Sequence, residues 1–293
     1  YPAKTGKIYY AESLMGELKE VCDFAEFNGM QVRDKVVAVS PKHNSILASV
    51  FDVFPGKGIA IYEDGAYSLL NFDEPMQGWL YNFGIEFLTD ENGEEFCLYG
   101  EYSHARKSSR RIFKGKYPYS QKENWKVVFT IPSQEGVQDN IQHIHHIQKD
   151  PWSNYIYCCC GDTAAESRWF YSGDNGDTWN LLVADMPQGY LRCTSVVFTE
   201  KEIWWASDDN AHFLMNAQRN EEGLLDVGTI TAKRALTSYQ STNAIAYIKK
   251  DERLFFYDRS SLPEVTLCYY DIKKSELVEV GTFVKMGDTS EGT

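Results

Sequence analysis

The residues best suited to chemistry lie in the stretch Asn140 to His146, NIQHIHH, which holds three of the chain's six histidines. At the two-residue period of a strand, His143 and His145 share one face and His146 takes the other. Two imidazoles side by side can serve as base and acid near neutral pH, or bind a metal. The plainer role for such a pair is packing, with the ring nitrogens bonded to backbone. Asp162 follows the next apolar run, Tyr155 to Cys160, and would bring a carboxylate toward the histidines. His143, His145 and Asp162 are therefore the candidate catalytic residues.

Asp162 belongs to a series. Asp52, Glu101, Asp162, Asp208 and Asp258 close the apolar runs ASVF, CLYG, CCCG, WWAS and FFY at intervals of about fifty residues. A carboxylate at a strand end ordinarily caps a turn through backbone amides. As a set, the five make an acidic rim that could supply the two carboxyls glycoside cleavage needs, or oxygen ligands for Ca²⁺. Arg33, Arg106, Arg110, Arg111, Arg168, Arg192 and Arg259 are expected on the same side, where forked hydrogen bonds would hold a sialic or uronic acid carboxylate. The segment SHARKSSRRIFKGK, residues 103 to 116, reads most simply as a solvated loop, which leaves Arg192 better placed. Tyr190 and Tyr239 precede equivalent apolar runs and could stack on a sugar ring or act as phenolic acid or base. With Trp79, which opens another run, the candidate substrate-binding residues are Arg33, Arg192, Tyr190, Tyr239 and Trp79. No cofactor and no resident metal is assigned, and no CxxC zinc pattern occurs.

These residues are positioned by a repeat. Hairpin-like segments run Ile8 to Val21, Ile61 to Leu70, Ile112 to Phe129, Phe170 to Leu182, Phe213 to Val227 and Leu267 to Val280. Between them lie paired strand candidates: Val32 to Val39 with Ile46 to Phe51, Trp79 to Leu88 with Glu95 to Tyr99, and Ile141 to Gln148 with Tyr155 to Cys160. The last two pairs are Leu191 to Phe198 with Glu202 to Ala206, and Asn243 to Ile248 with Leu254 to Tyr257. Met15 to Phe24 has some helical character, but its place in the repeat favours a hairpin arm. A repeat of about fifty residues is the length of a four-stranded blade. Five blades and an additional hairpin near the N-terminus follow, to be completed by a strand at Thr282 to Met286.

The best-preserved copy is WFYSGDNGDTWNLL, Trp169 to Leu182. Asn175-Gly176 supplies the positive φ angles of a tight turn, and Asp174 can accept hydrogen bonds from turn amides. Ser172, Asp174, Gly176, Thr178 and Trp179 resemble the Asp box, or BNR repeat, of the sialidase-like β-propellers. The resemblance implies an all-β fold, a β-propeller of four-stranded antiparallel blades, six-bladed with five as the alternative, over a single domain spanning 1–293 or part of a longer chain. It also implies that the Asp-box turn is scaffold and that the active face lies opposite it. The sequence has no Arg-Ile-Pro segment and no assignable Tyr/Glu pair, so the resemblance carries the fold and not sialidase activity.

Composition narrows the function. A net charge of −13 argues against nucleic acid and against an anionic membrane surface, and no apolar run is long enough to span a bilayer. Seven cysteines, three of them adjacent, make a poor disulfide framework; free thiols favour a reducing or anaerobic setting, although a removed signal peptide is compatible with a start at Tyr1. The resulting expectation is a carbohydrate-active propeller, glycoside hydrolase or polysaccharide lyase, with an acidic glycan as partner. The alternatives are a non-catalytic glycan- or protein-binding propeller and a structural module of a larger chain. Composition makes no claim about oligomeric state.

Overall fold

The computed structural model describes residues 7–10, 17–23, 37–49, 59–70, 72, 84–102, 109–132, 141, 143–187, 189–207, 213–235, 245–258 and 264–284. Among them the regular elements are strands, apart from 3₁₀ turns at Lys122–Asn124 and Val227–Thr229. Contacts divide the chain into residues 1–147 and 148–293.

The first part opens with a hairpin of β1 (Lys7–Tyr10) and β2 (Lys19–Asp23). Two four-stranded antiparallel sheets follow. One has the order β3 (Val37–Val39), β4 (Ile46–Ser49), β5 (Ile59–Glu63), β6 (Ala66–Leu70), and the other β7 (Ile85–Thr89), β8 (Glu95–Gly100), β9 (Arg110–Lys116), β10 (Trp125–Ile131). Leu47, Ile61, Tyr99 and Phe113 pack in the core that these two sheets share. Buried acids tie the sheets at one end. Glu63 accepts hydrogen bonds from Ser45 Oγ, Tyr119 N and the Ser120 amide and hydroxyl. Glu95 accepts from Ser40 Oγ, Lys42 N and the Tyr119 hydroxyl. Each carboxylate is thus compensated by several donors, which is what allows it to be buried.

The later sheets repeat the plan in chain order: β11 (Ile144–Lys149), β12 (Ile156–Cys160), β13 (Arg168–Ser172), β14 (Asn180–Val183); then β15 (Cys193–Phe198), β16 (Glu202–Ser207), β17 (Phe213–Gln218), β18 (Thr231–Ala235). The last is β19 (Ile245–Ile248), β20 (Arg253–Asp258), β21 (Glu264–Asp271), β22 (Glu276–Val284). Every residue of β8 and of β12 is buried, because the second strand of a sheet has neighbours on both faces. That is why EFCLYG and IYCCC are continuous apolar runs and not alternating ones. The outer strand β14 is exposed over its first two residues. Trp169 on β13 and Trp205 on β16 meet at 4.8 Å between ring centroids in a core that includes Cys159, Cys193 and Met215.

Three sequence expectations need correction. The hairpin that starts at Phe213 does not close by Val227: Arg219 and Leu225 form only a bridge, and β17 pairs with β18 further on. Thr282 to Val284 form the end of β22, paired with Glu264 to Thr266, and are not a separate closing strand. Arg110 and Arg111 are buried on β9, so this end of residues 103–116 is strand and not solvated loop. All seven cysteines are free and buried, as expected. Burial pushes the Cys160 thiol up to about 12 against the opposing pull of Arg168, so it is no thiolate nucleophile at neutral pH.

The Ser172–Trp179 turn closes by its own side chains. Asp174 accepts from Ser172 Oγ, Thr178 N and Thr178 Oγ1, and Ser172 Oγ accepts from Gly176 N. Asn175 and Gly176 take φ of 59° and 83°. Burial raises the Asp174 carboxyl, but the Thr178 and Ser172 hydrogen bonds outweigh it and leave its pKa lowered. Asp174→Ala should cost about 1 kcal/mol in urea unfolding, at the low end for such a network because the carboxylate is exposed. The contribution is complete above about pH 4, the unfolded value, and is lost as pH falls through the lower folded value. The wild-type and Ala stabilities should therefore converge below that pH.

Candidate functional site

The NIQHIHH stretch is positioned by the end of β8. Ile144 N donates to the Glu101 carbonyl at 3.1 Å, and Tyr102 and His143 form an antiparallel bridge. Gly100 makes this approach possible: a Cβ there would lie 2.4 Å from Ile144 Cγ2. The Tyr102 ring stacks on His143 at 4.0 Å, and His143 stacks on His145 at 5.3 Å, confirming that the two histidines share a face. All three histidines of the stretch are buried.

Asp162 is placed by a compact turn after β12. Gly161 adopts φ of 93°, Asp162 N donates to Glu166 Oε2 at 3.1 Å, and Ser167 Oγ donates to the Gly161 carbonyl. Glu166 is fully buried. In the sheet β11–β14, the start of β11 and the end of β12 lie at one end. In sequence His143 stands just before the start of β11, and Asp162 just after the end of β12. The β12–β13 register pairs Cys160 with Arg168 at this end and Ile156 with Ser172 at the other. Within this sheet, the Ser172–Trp179 turn is therefore one strand length, roughly 17 Å, from the end of β12 that leads into Asp162.

Arg192 joins the carboxylate. Its Nη2 lies 3.7 Å from Asp162 Oδ1, with 29% and 18% of the two side chains exposed. Two indoles fix the backbone before it: Trp205 Nε1 donates to the Tyr190 carbonyl and Trp169 Nε1 to that of Leu191. Tyr190 itself packs edge-on against Phe213 at 6.0 Å, which is a packing role. Arg33, Tyr239 and Trp79 lie outside the described residues, as do Asp52, Asp208, Arg106 and Arg259.

The acidic rim does not survive at Glu101. This fully buried carboxylate takes the Arg111 amide, Nε and Nη2, so neither partner is offered to a ligand. Arg168 donates to the Ala165 carbonyl. A groove beside Phe72, Phe113, Trp125 and Lys126 also includes Arg111, whose charge is already committed. Sequence reasoning missed Tyr102, Gly161 and Glu166. Gly before the strand-end carboxylate, in CLYG-Glu101 and CCCG-Asp162, was the available signal.

No protein-family model matches the chain, and a search of curated proteins finds no match. Solved structures do match. A periplasmic gluconolactonase of Pseudomonas aeruginosa is 12% identical, with 96% of this chain covering 79% of that one at a TM-score of 0.62. A Bacteroides fragilis protein provisionally named a 6-phosphogluconolactonase is 13% identical over 97% of this chain and 83% of its own, with a TM-score of 0.58. A structure from a study of two prolyl endopeptidases is 11% identical over 98% of this chain and 40% of its own, with a TM-score of 0.60. The chain is a β-propeller. Among the described residues, six sheets in chain order match a six-bladed propeller, the first represented by the β1–β2 hairpin. No helix among the described residues is long and apolar enough to cross a membrane.

Proposed function

We propose that this propeller, one domain of the Asp-box superfamily, is a carbohydrate-active enzyme, a glycoside hydrolase or polysaccharide lyase acting on an acidic glycan. The observation that carries the reading is the Asp162–Arg192 pair at the end of β12 opposite the Ser172–Trp179 turn, and we assign His143 and His145 to the same reaction. Arg192 beside Asp162 suits the carboxylate of a uronic acid. With that carboxylate bound, one neutral imidazole would take a proton and the other, protonated, would give one to the leaving glycosidic oxygen. The gluconolactonase among the structural neighbours adds a sugar-related precedent on the same fold.

The test is cleavage of a panel of uronate- and sialate-containing glycans, reading reducing ends for hydrolysis and the unsaturated product's ultraviolet absorbance for elimination. His143→Ala with His145→Ala should lower kcat/KM at least about 100-fold. Unchanged cleavage in that variant would remove these histidines from the reaction. A parent protein that binds a glycan without cleaving it would be a binding propeller instead.

A further inference from the structure

We infer that the groove formed by Phe72 and the β9–β10 pair is a binding site for a small aromatic carboxylate, with 2-naphthoate the probe of choice. Strand pairing builds it. Trp125 stands opposite Gly115 and Val127 opposite Phe113, so alternation puts Arg111, Phe113 and Gly115 of β9 on one face with Trp125 and Val127 of β10. Gly115 lets the indole lie against β9: a Cβ there would stand 2.6 Å from Trp125 Cε2. Phe72 adds a third ring, 4.6 Å from that of Phe113 and edge-on to Trp125 at 6.1 Å.

The walls are aromatic, and their polar atoms are taken. Trp125 Nε1 donates to the Tyr119 carbonyl at 2.8 Å, and Arg111 forks onto Glu101 with its guanidinium 5.0 Å from the Phe113 ring centroid. The hydroxyls of a sugar would find few partners there. Lys122 and Lys126, both exposed, also line the groove, and among the described residues no carboxylate does. A chain of net charge −13 thus has a locally cationic groove with apolar walls, which selects an anion carried on a flat apolar ring. Exposed ammonium groups change partners at little cost, so both can turn to a bound carboxylate. The cavity of about 200 Å³ is smaller than the pocket of a drug-sized ligand and suits one or two fused rings. This inference goes beyond the glycan reading and shares no residue with the Asp162–Arg192 pair, so either can fail alone.

In calorimetry 2-naphthoate should bind the full-length protein with a Kd of about 0.1–1 mM. The uncharged 2-naphthylmethanol should bind at least about threefold more weakly. Val127→Glu, at a position 45% exposed, puts a carboxylate beside that of the ligand and should weaken 2-naphthoate binding at least about tenfold. Lys122→Gln with Lys126→Gln should weaken it about three- to tenfold and leave 2-naphthylmethanol unchanged. The lysine variant, altered only at exposed positions, carries the test alone if Val127→Glu does not fold. An unchanged 2-naphthoate affinity in the lysine variant would overturn the assignment. So would wild-type protein that takes up no 2-naphthoate at about 5 mM, or that binds glucuronate more tightly.

Discussion

Arg219→Ala is expected to lower the unfolding free energy by about 3–5 kcal/mol, the cost of leaving a buried charge without its partner. Arg219 is 8% exposed and Asp150 fully buried. All five guanidinium hydrogens are used. Nη1 donates to Asp150 Oδ2 and the Gly223 carbonyl, Nη2 to Asp150 Oδ1 and the Thr199 carbonyl, and Nε to Thr199 again. These bonds join the β11–β12 turn to the β15–β16 turn and to the loop after β17. Alanine strands the Asp150 carboxylate, which still organises its own turn through Trp152 N and Ser153 Oγ, and two carbonyls besides. Lysine keeps the charge but has three donors and no fork, so Arg219→Lys should recover only part of the loss. Urea unfolding of the three proteins decides it. A loss below about 1 kcal/mol in Arg219→Ala would mean that water replaces the fork at little cost.

This pair shows where the sequence stops being legible. Asp150 and Arg219 are separated by 69 residues, and nothing in either local pattern specifies the partner. Local signals did give the elements: Asp174-Asn175-Gly176 gave the β13–β14 hairpin, and the continuous runs EFCLYG and IYCCC gave the buried second strands. Where turn chemistry was weak, register failed. The Gly223 loop continues through a 3₁₀ turn before β18, because Asp226 caps it by accepting from Gly228 N. A hairpin reading that needed the second arm at once could not see this.

The candidate site was legible in the same uneven way. Period 2 put His143 and His145 on one face, as their stacked rings show, and repeat spacing put Asp162 at the end of the following strand. Repeat spacing also offered Glu101 as an equivalent acid. Its burial and its fork to Arg111 make it structural instead, a distinction set by a side chain on the neighbouring strand. The arginines separated likewise, with Arg111 absorbed by Glu101 and Arg192 left beside Asp162.

Gly161→Ala is expected to destabilise the protein by about 2–5 kcal/mol and to displace Asp162. Two costs add. At φ of +93° an L side chain is strained, and a Cβ would stand 2.2 Å from the carbonyl carbon and oxygen of Glu166 and 2.6 Å from Ser167 N. Those are backbone atoms, which cannot swing aside as the end of a side chain could. Relief would have to come from the 161–167 turn, and that turn holds Asp162 through the Glu166 carboxylate and Gly161 through Ser167 Oγ. Gly65 provides the control. It has φ of +78° with nothing within 4 Å of its Cβ position, so Gly65→Ala carries the backbone strain alone, about 1 kcal/mol. Comparing the two variants by urea unfolding isolates the close approach from the dihedral. If Gly161→Ala loses no more stability than Gly65→Ala, the 161–167 turn is pliable and cannot be what fixes Asp162. If it loses more, the excess measures the close approach of Gly161 to the Glu166 and Ser167 backbone, which is then what fixes the turn that carries Asp162.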